Sequence, residues 1–140
     1  MIIDTTYLLR LSGIEINTDL LRAIDDGKTT LSFDELGVSQ ISLFEIQAKV
    51  AKLRLPTSLA IDAIKAIRSS FRVEPFYNPE IIEVAYTLSQ QFKDYIDCVI
   101  VATAVVLKED LITEDTKINN SKRMIKERYK INILNYKEMV

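Results

Sequence analysis

Two short apolar segments near opposite ends of the chain end directly in carboxylates. Residues 1–3 (MII) run into Asp4, and residues 111–113 (LIT) run into two consecutive acids, the second of which is Asp115. A short apolar run bounded by polar residues is typical of a buried strand. Carboxylates at the end of such a strand can act as general acids or bases, or can bind a hard metal ion.

Two further acids have comparable positions. Glu45 lies three residues past a strand-like segment, 38–42 (VSQIS), and Asp97 lies in the first turn of a predicted apolar helix, 96–107. If the strands are parallel, their carboxyl ends share one edge of the sheet, and the start of a following helix reaches the same edge. The pattern therefore predicts that four acids converge: Asp4, Glu45, Asp97 and Asp115.

Convergence of four acids has an electrostatic cost. Two carboxylates about 5 Å apart repel by roughly 3 kcal/mol at an effective dielectric constant near 20. A bound cation removes this repulsion, and all-oxygen ligands favour Mg²⁺ or Mn²⁺. Such ions retain several waters, bridge phosphate oxygens and lower the pKa of a bound water. The four acids therefore indicate a divalent-cation site that could supply a nucleophilic water.

Helix capping and turns can also explain each acid singly. Ser42 and Glu45 have the spacing of a capping box, in which two backbone donors are satisfied reciprocally. Capping is the commoner role for such residues, so only the set of four favours a site. The other acids have equivalent structural roles: Asp4 before a helix that begins near Thr6, Asp94 and Asp97 at the start of 96–107, and Asp115 in a turn.

Strands and helices are predicted to alternate along the chain. Short apolar runs predict strands at 1–3, 38–42, 71–76, 110–113 and 131–136. Helical spacing and terminal signals predict helices at 6–13, 17–27, 43–53, 56–70, 78–92 and about 119–129. Within 96–107, Cys98–Val101 would suit a strand, whereas the length and the alanines favour a buried helix. The alternation predicts an α/β fold, with a parallel sheet between helices on both faces.

The composition limits the available chemistry. The 140 residues include no histidine and one cysteine, Cys98, which excludes Ser-His-Asp and Cys-His catalysis and the usual zinc sites. The net charge of −2 gives no overall attraction to nucleic acid. A lone cysteine predicts a reducing, cytoplasmic compartment, and neither a signal peptide nor a membrane span is expected. The length, with few glycines and prolines, predicts a single domain, 1–140.

With these residues in place, the chain resembles the PIN-domain family of metal-dependent ribonucleases, and within it the VapC-type toxins of prokaryotic toxin–antitoxin pairs. The resemblance implies a three-layer α/β/α sandwich with a parallel sheet of about five strands. It also implies cleavage of single-stranded or loop RNA with Mg²⁺ or Mn²⁺, a homodimer and, for toxins, inhibition by a small antitoxin. It rests on stretches that follow in order along nearly the whole chain: IIDTTYLL (2–9), VSQISLFEIQAKV (38–50), DYIDCVIVATAVVLKEDLITEDTKI (94–118) and INILNY (131–136).

The family's four-acid catalytic site carries over onto Asp4, Glu45, Asp97 and Asp115. By this resemblance, Asp4, Asp97 and Asp115 would bind the metal directly or through water. Glu45 would bind a metal or orient the attacking water. The resemblance also implies auxiliary residues that support these carboxylates or a water: Asp94, Thr5, Thr6 and Thr113.

The chain departs from the family pattern at three points. Thr6 stands where Asn or Ser is frequent in the family, and the glycine that the family usually has a few residues after the glutamate is missing after Glu45. Asp94 also competes with Asp97 as the third acid, and we assign Asp94 the auxiliary role.

The leading hypothesis is therefore a Mg²⁺- or Mn²⁺-dependent endoribonuclease, the toxin of a toxin–antitoxin pair. A PIN-like binding module with weak or no turnover is the alternative, which the acidic pI of 5.2 favours. Phosphoryl transfer on the first-strand aspartate, as in haloacid-dehalogenase-like phosphatases, fits less well. Those enzymes need a second aspartate two residues on, where this chain has Thr6.

Several other features have two interpretations. The basic segment 117–130 could bind RNA phosphates, although a solvated helix face is the commoner explanation. Lys49, one turn after Glu45, raises the same question and could also pair with that carboxylate. Cys98 is expected to be a small buried residue. Four aromatic residues are expected in the core or in an interface rather than as platforms for base stacking: Tyr7, Phe44, Phe76 and Tyr86.

Overall fold

A sheet of five parallel strands organises the molecule. The structure is a computed structural model that describes all residues, 1–140. The strands are β1 (Ile2–Ile3), β2 (Gly37–Ser39), β3 (Arg72–Glu74), β4 (Leu111–Ile112) and β5 (Ile133–Leu134). In spatial order they run β3-β2-β1-β4-β5, and every neighbouring pair is parallel. The chain adds β2 and β3 on one side of β1 and then β4 and β5 on the other side, so a topological switch point lies between β1 and β4.

Helices connect these strands and cover both faces of the sheet. A 3₁₀ helix follows β1 over Thr5–Ser12 and ends at Gly13, whose φ of 81° is a left-handed conformation that glycine adopts readily. A shorter 3₁₀ helix spans Phe33–Glu35. The α-helices are α1 (Leu20–Asp25), α2 (Gln40–Lys52), α3 (Thr57–Ser70), α4 (Pro79–Leu88), α5 (Tyr95–Leu107), α6 (Thr116–Asn120), α7 (Lys122–Tyr129) and α8 (Tyr136–Met139).

Two apolar cores lie on opposite faces of the sheet, because successive strand residues point to opposite sides. Ile2 and Leu111 belong to the core that is shared with α4, α5, α6 and α7. Ile3 and Ile112 belong to the other core, which is shared with the Thr5–Ser12 helix, α1, α2 and α3. The predicted three-layer α/β/α sandwich with a parallel five-stranded sheet is confirmed.

The apolar segment after residue 94 forms a buried helix. Asp94 caps α5 by accepting a hydrogen bond from the amide of Ile96, and the seven residues Cys98–Ala104 are all buried. A helix that is enclosed on all sides needs no polar face, which explains the unbroken apolar sequence. This settles the helix-or-strand ambiguity and confirms that Cys98 is buried. No helix has the length and apolarity needed to cross a membrane.

The second strand is shorter than the sequence suggested. We expected a strand over 38–42 and a capping box formed by Ser42 and Glu45, but β2 ends at Ser39 and α2 begins at the next residue. Ser39 is the cap, and its hydroxyl oxygen accepts a hydrogen bond from the amide of Ile41 at 3.3 Å. Ser42 is therefore inside α2 and fully buried, and Glu45 lies in the second turn of the helix.

Other local predictions are corrected in the same way. The expected single helix at about 119–129 is two helices, α6 and α7, that meet at Ser121. Tyr7 is fully buried as expected. Three aromatic residues that were expected in the core or in an interface are exposed, so the core assignment is wrong for them: Phe44 (58%), Phe76 (41%) and Tyr86 (66%).

Candidate active site

A cleft of about 290 Å³ lies at the carboxyl ends of the strands, beside the switch point between β1 and β4. This is where open α/β sheets bind their ligands. The lining is almost entirely polar, with one apolar side chain and five carboxylates. The cleft residues are Asp4, Thr5, Thr6, Leu9, Glu45, Lys49, Asp97, Glu114 and Asp115. All four acids expected to converge are among them.

Asp4 is the most constrained of these acids. It follows β1 directly and is 7% exposed. One carboxylate oxygen accepts a hydrogen bond from the amide of Thr5 at 2.7 Å, and the other accepts one from the hydroxyl of Thr113 at 2.6 Å. Burial raises the pKa of Asp4 against these two hydrogen bonds, and the neighbouring charges of Asp115 and Asp94 raise it further.

Glu45 reaches the cleft from α2. Its carboxylate accepts a hydrogen bond from the hydroxyl of Thr5, which is also hydrogen-bonded to the hydroxyl of Ser42 at 2.8 Å. Thr5 thus joins the end of β1 to the inner face of α2. Burial is the largest cause of a raised pKa of Glu45, and the charges of Asp4 and Asp94 act in the same direction.

Asp97 is the least satisfied acid of the cleft. It lies in the first turn of α5, is half-buried, and accepts no hydrogen bond from the protein. Burial raises its pKa to about 7, together with the charges of the acids around it: Asp94, Asp115, Asp4 and Glu45. Without a cation, its carboxyl group is therefore partly protonated at neutral pH.

Asp115 combines a structural position with a place in the cleft. Its carboxylate caps α6 by accepting a hydrogen bond from the amide of Ile118 at 2.9 Å. Its own amide donates to the hydroxyl oxygen of Thr113 at 3.0 Å, and that hydroxyl donates to Asp4. Thr113 therefore links the acid after β1 to the acid after β4.

Two auxiliary residues, Asp94 and Thr6, make no hydrogen bond to the acids of the cleft. Asp94 is exposed and caps α5, and it is absent from the lining of the cleft. Its charge nevertheless raises the pKa of Asp97 and of Glu45. Thr6 lines the cleft, but its hydroxyl makes no hydrogen bond within the protein.

Sequence reasoning missed one acid of the cleft, Glu114. Glu114 accepts hydrogen bonds at one carboxylate oxygen from the hydroxyl of Tyr7 at 2.5 Å and from the amide of Tyr136 at 2.6 Å. Its place beside Asp115 was the only available signal. Lys49, for which phosphate binding and pairing with Glu45 were both considered, makes no ion pair and is the one cation of the lining.

The cleft fits a hydrated hard cation better than a dehydrated one. No three acidic side chains approach closely enough to enclose a metal ion directly. Mg²⁺, however, is usually held by one or two carboxylates and keeps several waters. At about 290 Å³ the cleft has room for an ion together with several waters. The oxygen-only acceptors and the mutual repulsion of the acids match such an ion.

Comparison with known proteins gives a family and a fold. The family model for the PIN domain matches residues 1–123. No curated protein sequence matches the chain.

Solved structures with the same fold include toxin–antitoxin complexes. One is a toxin–antitoxin complex from Klebsiella pneumoniae, with 23% identity, coverage of 83% of this chain and 87% of that chain, and a TM-score of 0.62. FitAcB from Neisseria gonorrhoeae has 18% identity, 99% coverage of both chains and a TM-score of 0.67. VapBC2 from Rickettsia felis, bound to a DNA fragment from its promoter, has 15% identity, 96% coverage of both chains and a TM-score of 0.62. At these identities the likeness shows the fold alone.

Proposed function

Since the chain belongs to the PIN domain family, we propose that it is a Mg²⁺- or Mn²⁺-dependent endoribonuclease and the toxin of a toxin–antitoxin pair. The proposal treats residues 1–140 as one catalytic domain. One observation carries it above the others: four acids from separate segments, two after strands and two on helices, line a single cleft. The catalytic residues proposed are Asp4, Glu45, Asp97 and Asp115.

Metal-assisted hydrolysis suits a site that contains no histidine. A bound Mg²⁺ or Mn²⁺ supplies an acidified water and neutralises charge on the phosphate. Asp4, Asp97 and Asp115 would hold this ion directly or through waters. The hydrogen bonds to Asp4 from Thr5 and Thr113 hold its carboxylate in one orientation, so little ordering is needed when the ion binds.

Glu45 is the proposed proton acceptor. A general base works best when its pKa lies near the operating pH, and burial moves the pKa of Glu45 upward from its ordinary value. The hydroxyl of Thr5 orients this carboxylate from the side of β1. In this arrangement Glu45 orients the attacking water and accepts its proton.

RNA is the proposed substrate, and Lys49 is the proposed phosphate contact. Lys49 is exposed, lies one turn after Glu45 and has no carboxylate partner, although five acids share the cleft. A cation left unpaired in an acidic cleft can bind a substrate phosphate. Cleavage of cellular RNA would place the protein in the cytoplasm.

Exposed apolar surfaces support the proposed protein partners. An apolar groove of about 700 Å³ lies between α2 and α3, where Phe44 and Ile61 are 58% and 49% exposed. We assign it to a small antitoxin. Tyr86 and Tyr95 form an exposed edge-to-face pair between α4 and α5, with ring centroids 5.7 Å apart. We assign this second surface to a homodimer. Apolar patches of this kind commonly mark protein–protein contacts.

RNA cleavage by acid-to-amide variants tests the proposed function. Asp4→Asn and Asp97→Asn keep the side-chain shape but remove a charge that the cation needs. We expect each to lower kcat/KM for a single-stranded RNA by about 100-fold or more in Mg²⁺ or Mn²⁺. Asp62→Asn is the matched control, because Asp62 is exposed on α3 and away from the cleft. Unchanged cleavage in both cleft variants would overturn the proposal.

A further inference from the structure

Glu114 is a fifth carboxylate in the cleft, and it is fixed from two sides. The hydroxyl of Tyr7 and the amide of Tyr136 both donate to the same oxygen, Oε1, at 2.5 and 2.6 Å. Tyr7 is fully buried, and burial raises the pKa of its phenol, so the hydroxyl remains a proton donor. Tyr136 is the first residue of α8. Glu114 is therefore held by two residues that are far apart in the sequence, Tyr7 and Tyr136.

The second oxygen of Glu114 has no partner in the protein. No donor approaches Oε2, and Glu114 makes no ion pair, although its side chain is half-buried and lines the cleft. An ionised carboxylate can accept about four hydrogen bonds. One oxygen is thus anchored while the other is left available to the cleft.

The backbone on either side of Glu114 is also held in place. The side-chain amide of Asn119 donates to the carbonyl of Thr113 at 2.9 Å and to the carbonyl of Asp115 at 2.9 Å. The turn between β4 and α6 is thereby clamped around Glu114. Its carboxylate needs little reorganisation to bind a ligand.

A purely structural link between the cleft and α8 does not explain the charge of Glu114. The link uses only Oε1 as an acceptor, and the amide oxygen of a glutamine could accept the same two hydrogen bonds. A glutamine would also avoid adding a negative charge beside four other acids. The negative charge and the available Oε2 need a further explanation.

We propose that Glu114 takes part in binding the divalent cation, and that Tyr7 and the Tyr136 amide position its carboxylate for this purpose. The inference rests on the proposed function, which it extends by one cation-binding residue and one positioning side chain. It also gives α8 a role in the site. Residues 136–139 lie beyond the part of the chain that the family model matches, and they supply one of the two donors.

Mn²⁺ binding by Glu114→Gln tests this inference without an activity assay. The substitution keeps an acceptor for Tyr7 and Tyr136 but removes the charge. We expect about a 10-fold weaker Kd for Mn²⁺ in titration calorimetry, with an unchanged melting temperature. Glu83→Gln is the matched control, because Glu83 is exposed on α4 and its carboxylate has no partner. It should bind Mn²⁺ as the wild type does.

Tyr7→Phe tests the same inference through the side chain that positions Glu114. The ring remains in the core while Glu114 loses one of its two donors, so we expect Mn²⁺ affinity to fall by a smaller factor, about 3-fold. If Glu114→Gln proves to be unfolded, this variant decides the question. Wild-type affinity in a folded Glu114→Gln, or in Tyr7→Phe when that variant is decisive, would overturn the role of Glu114 and leave the nuclease proposal standing. A wild-type protein that does not bind Mn²⁺ would overturn both.

Discussion

At the scale of single residues, capping and function prove to be compatible roles. Asp4 caps the Thr5–Ser12 helix and Asp115 caps α6, yet both carboxylates line the cleft. Each acid has a second carboxylate oxygen that the capping hydrogen bond does not use. In Asp4 this oxygen accepts a hydrogen bond from the hydroxyl of Thr113. A structural explanation for one acid therefore does not exclude a functional one. Asp97 differs, because no hydrogen bond from the protein offsets its burial.

The effect of Asp97→Asn on stability should depend on pH. The folded-state pKa of Asp97 is raised to about 7, so the folded protein binds more protons than the unfolded chain between about pH 4 and 7. The stability of the cation-free wild type should therefore fall as the pH rises through this window. Asparagine has no carboxyl group to ionise, so the variant should not lose this stability as the pH rises. We therefore expect the variant to be more stable than the wild type by about 2 kcal/mol near pH 8, allowing for solvent screening, and equally stable near pH 4.

Urea unfolding with a chelator present, at both pH values, measures this difference in the free energy of unfolding. Asp62→Asn, on the exposed face of α3, should show no such divergence. A wild-type protein as stable as Asp97→Asn near pH 8 would contradict the assigned electrostatics.

At the scale of elements, the register of two very short strands determines the contacts of the site. Ile3 of β1 is paired with Ile112 of β4, so the next residues, Asp4 and Thr113, leave the sheet side by side. The amide of Asp4 donates to the carbonyl of Ile112 at 3.0 Å, which extends the pairing to the edge of the cleft. A slip of one residue would turn one of these side chains to the opposite face.

Thr113→Val should disrupt this junction. Valine has nearly the shape of threonine but cannot donate to Asp4, so a buried carboxylate oxygen loses its partner. We expect the free energy of unfolding to fall by about 1–3 kcal/mol, measured by urea denaturation. Mn²⁺ affinity should fall as well, because Asp4 is no longer held in one orientation.

Thr113→Ser is the matched control, since it keeps the hydroxyl and removes only a methyl group. It should retain most of the Mn²⁺ affinity even if burial of less apolar surface lowers its stability. Equal Mn²⁺ affinity in the valine variant and the wild type would show that the hydroxyl does not position Asp4.

At the scale of the whole molecule, the acids of the cleft make the cation-free protein carry an electrostatic penalty that ligand binding can relieve. The net charge is only −2, but negative charge is concentrated at one end of the sheet. Burial and mutual repulsion raise the pKa of three of the five cleft acids: Asp4, Glu45 and Asp97. A ligand that binds only the folded state stabilises it.

Mn²⁺ should therefore raise the melting temperature of the wild type. At a concentration about 100 times the Kd, linkage predicts about 2.7 kcal/mol of stabilisation, or a shift of about 5–10 °C for a chain of this size. Asp97→Asn should show a much smaller shift, and Asp62→Asn a normal one, in a thermal melt with and without chelator. No shift in the wild type would favour the alternative interpretation, a PIN-like module that binds partners without turnover.

The sequence alone determined the order of the five strands and the longer helices, and the four acids proposed for catalysis. Both can be read from nearby residues, because hydrophobic periodicity, caps and the position of an acid after an apolar run are local properties. The parallel topology then followed from the alternation of strands and helices. The Ser42–Glu45 capping box was wrong because a three-residue β2 already reaches the edge of the sheet, and no local signal distinguished Ser39 from Ser42.

Only the tertiary structure decided how the acids are held and which other residues join them. The hydroxyl of Thr113 meets Asp4 across 109 residues, and Tyr7 meets Glu114 across 107. Such contacts depend on strand register and on the docking of α8, which the sequence pattern does not encode locally. Thr6 and Lys49 show the same limit, since one proved to have no hydrogen bond and the other no ion pair. Local sequence predicts which groups reach an edge of the sheet, whereas long-range packing decides which of them touch.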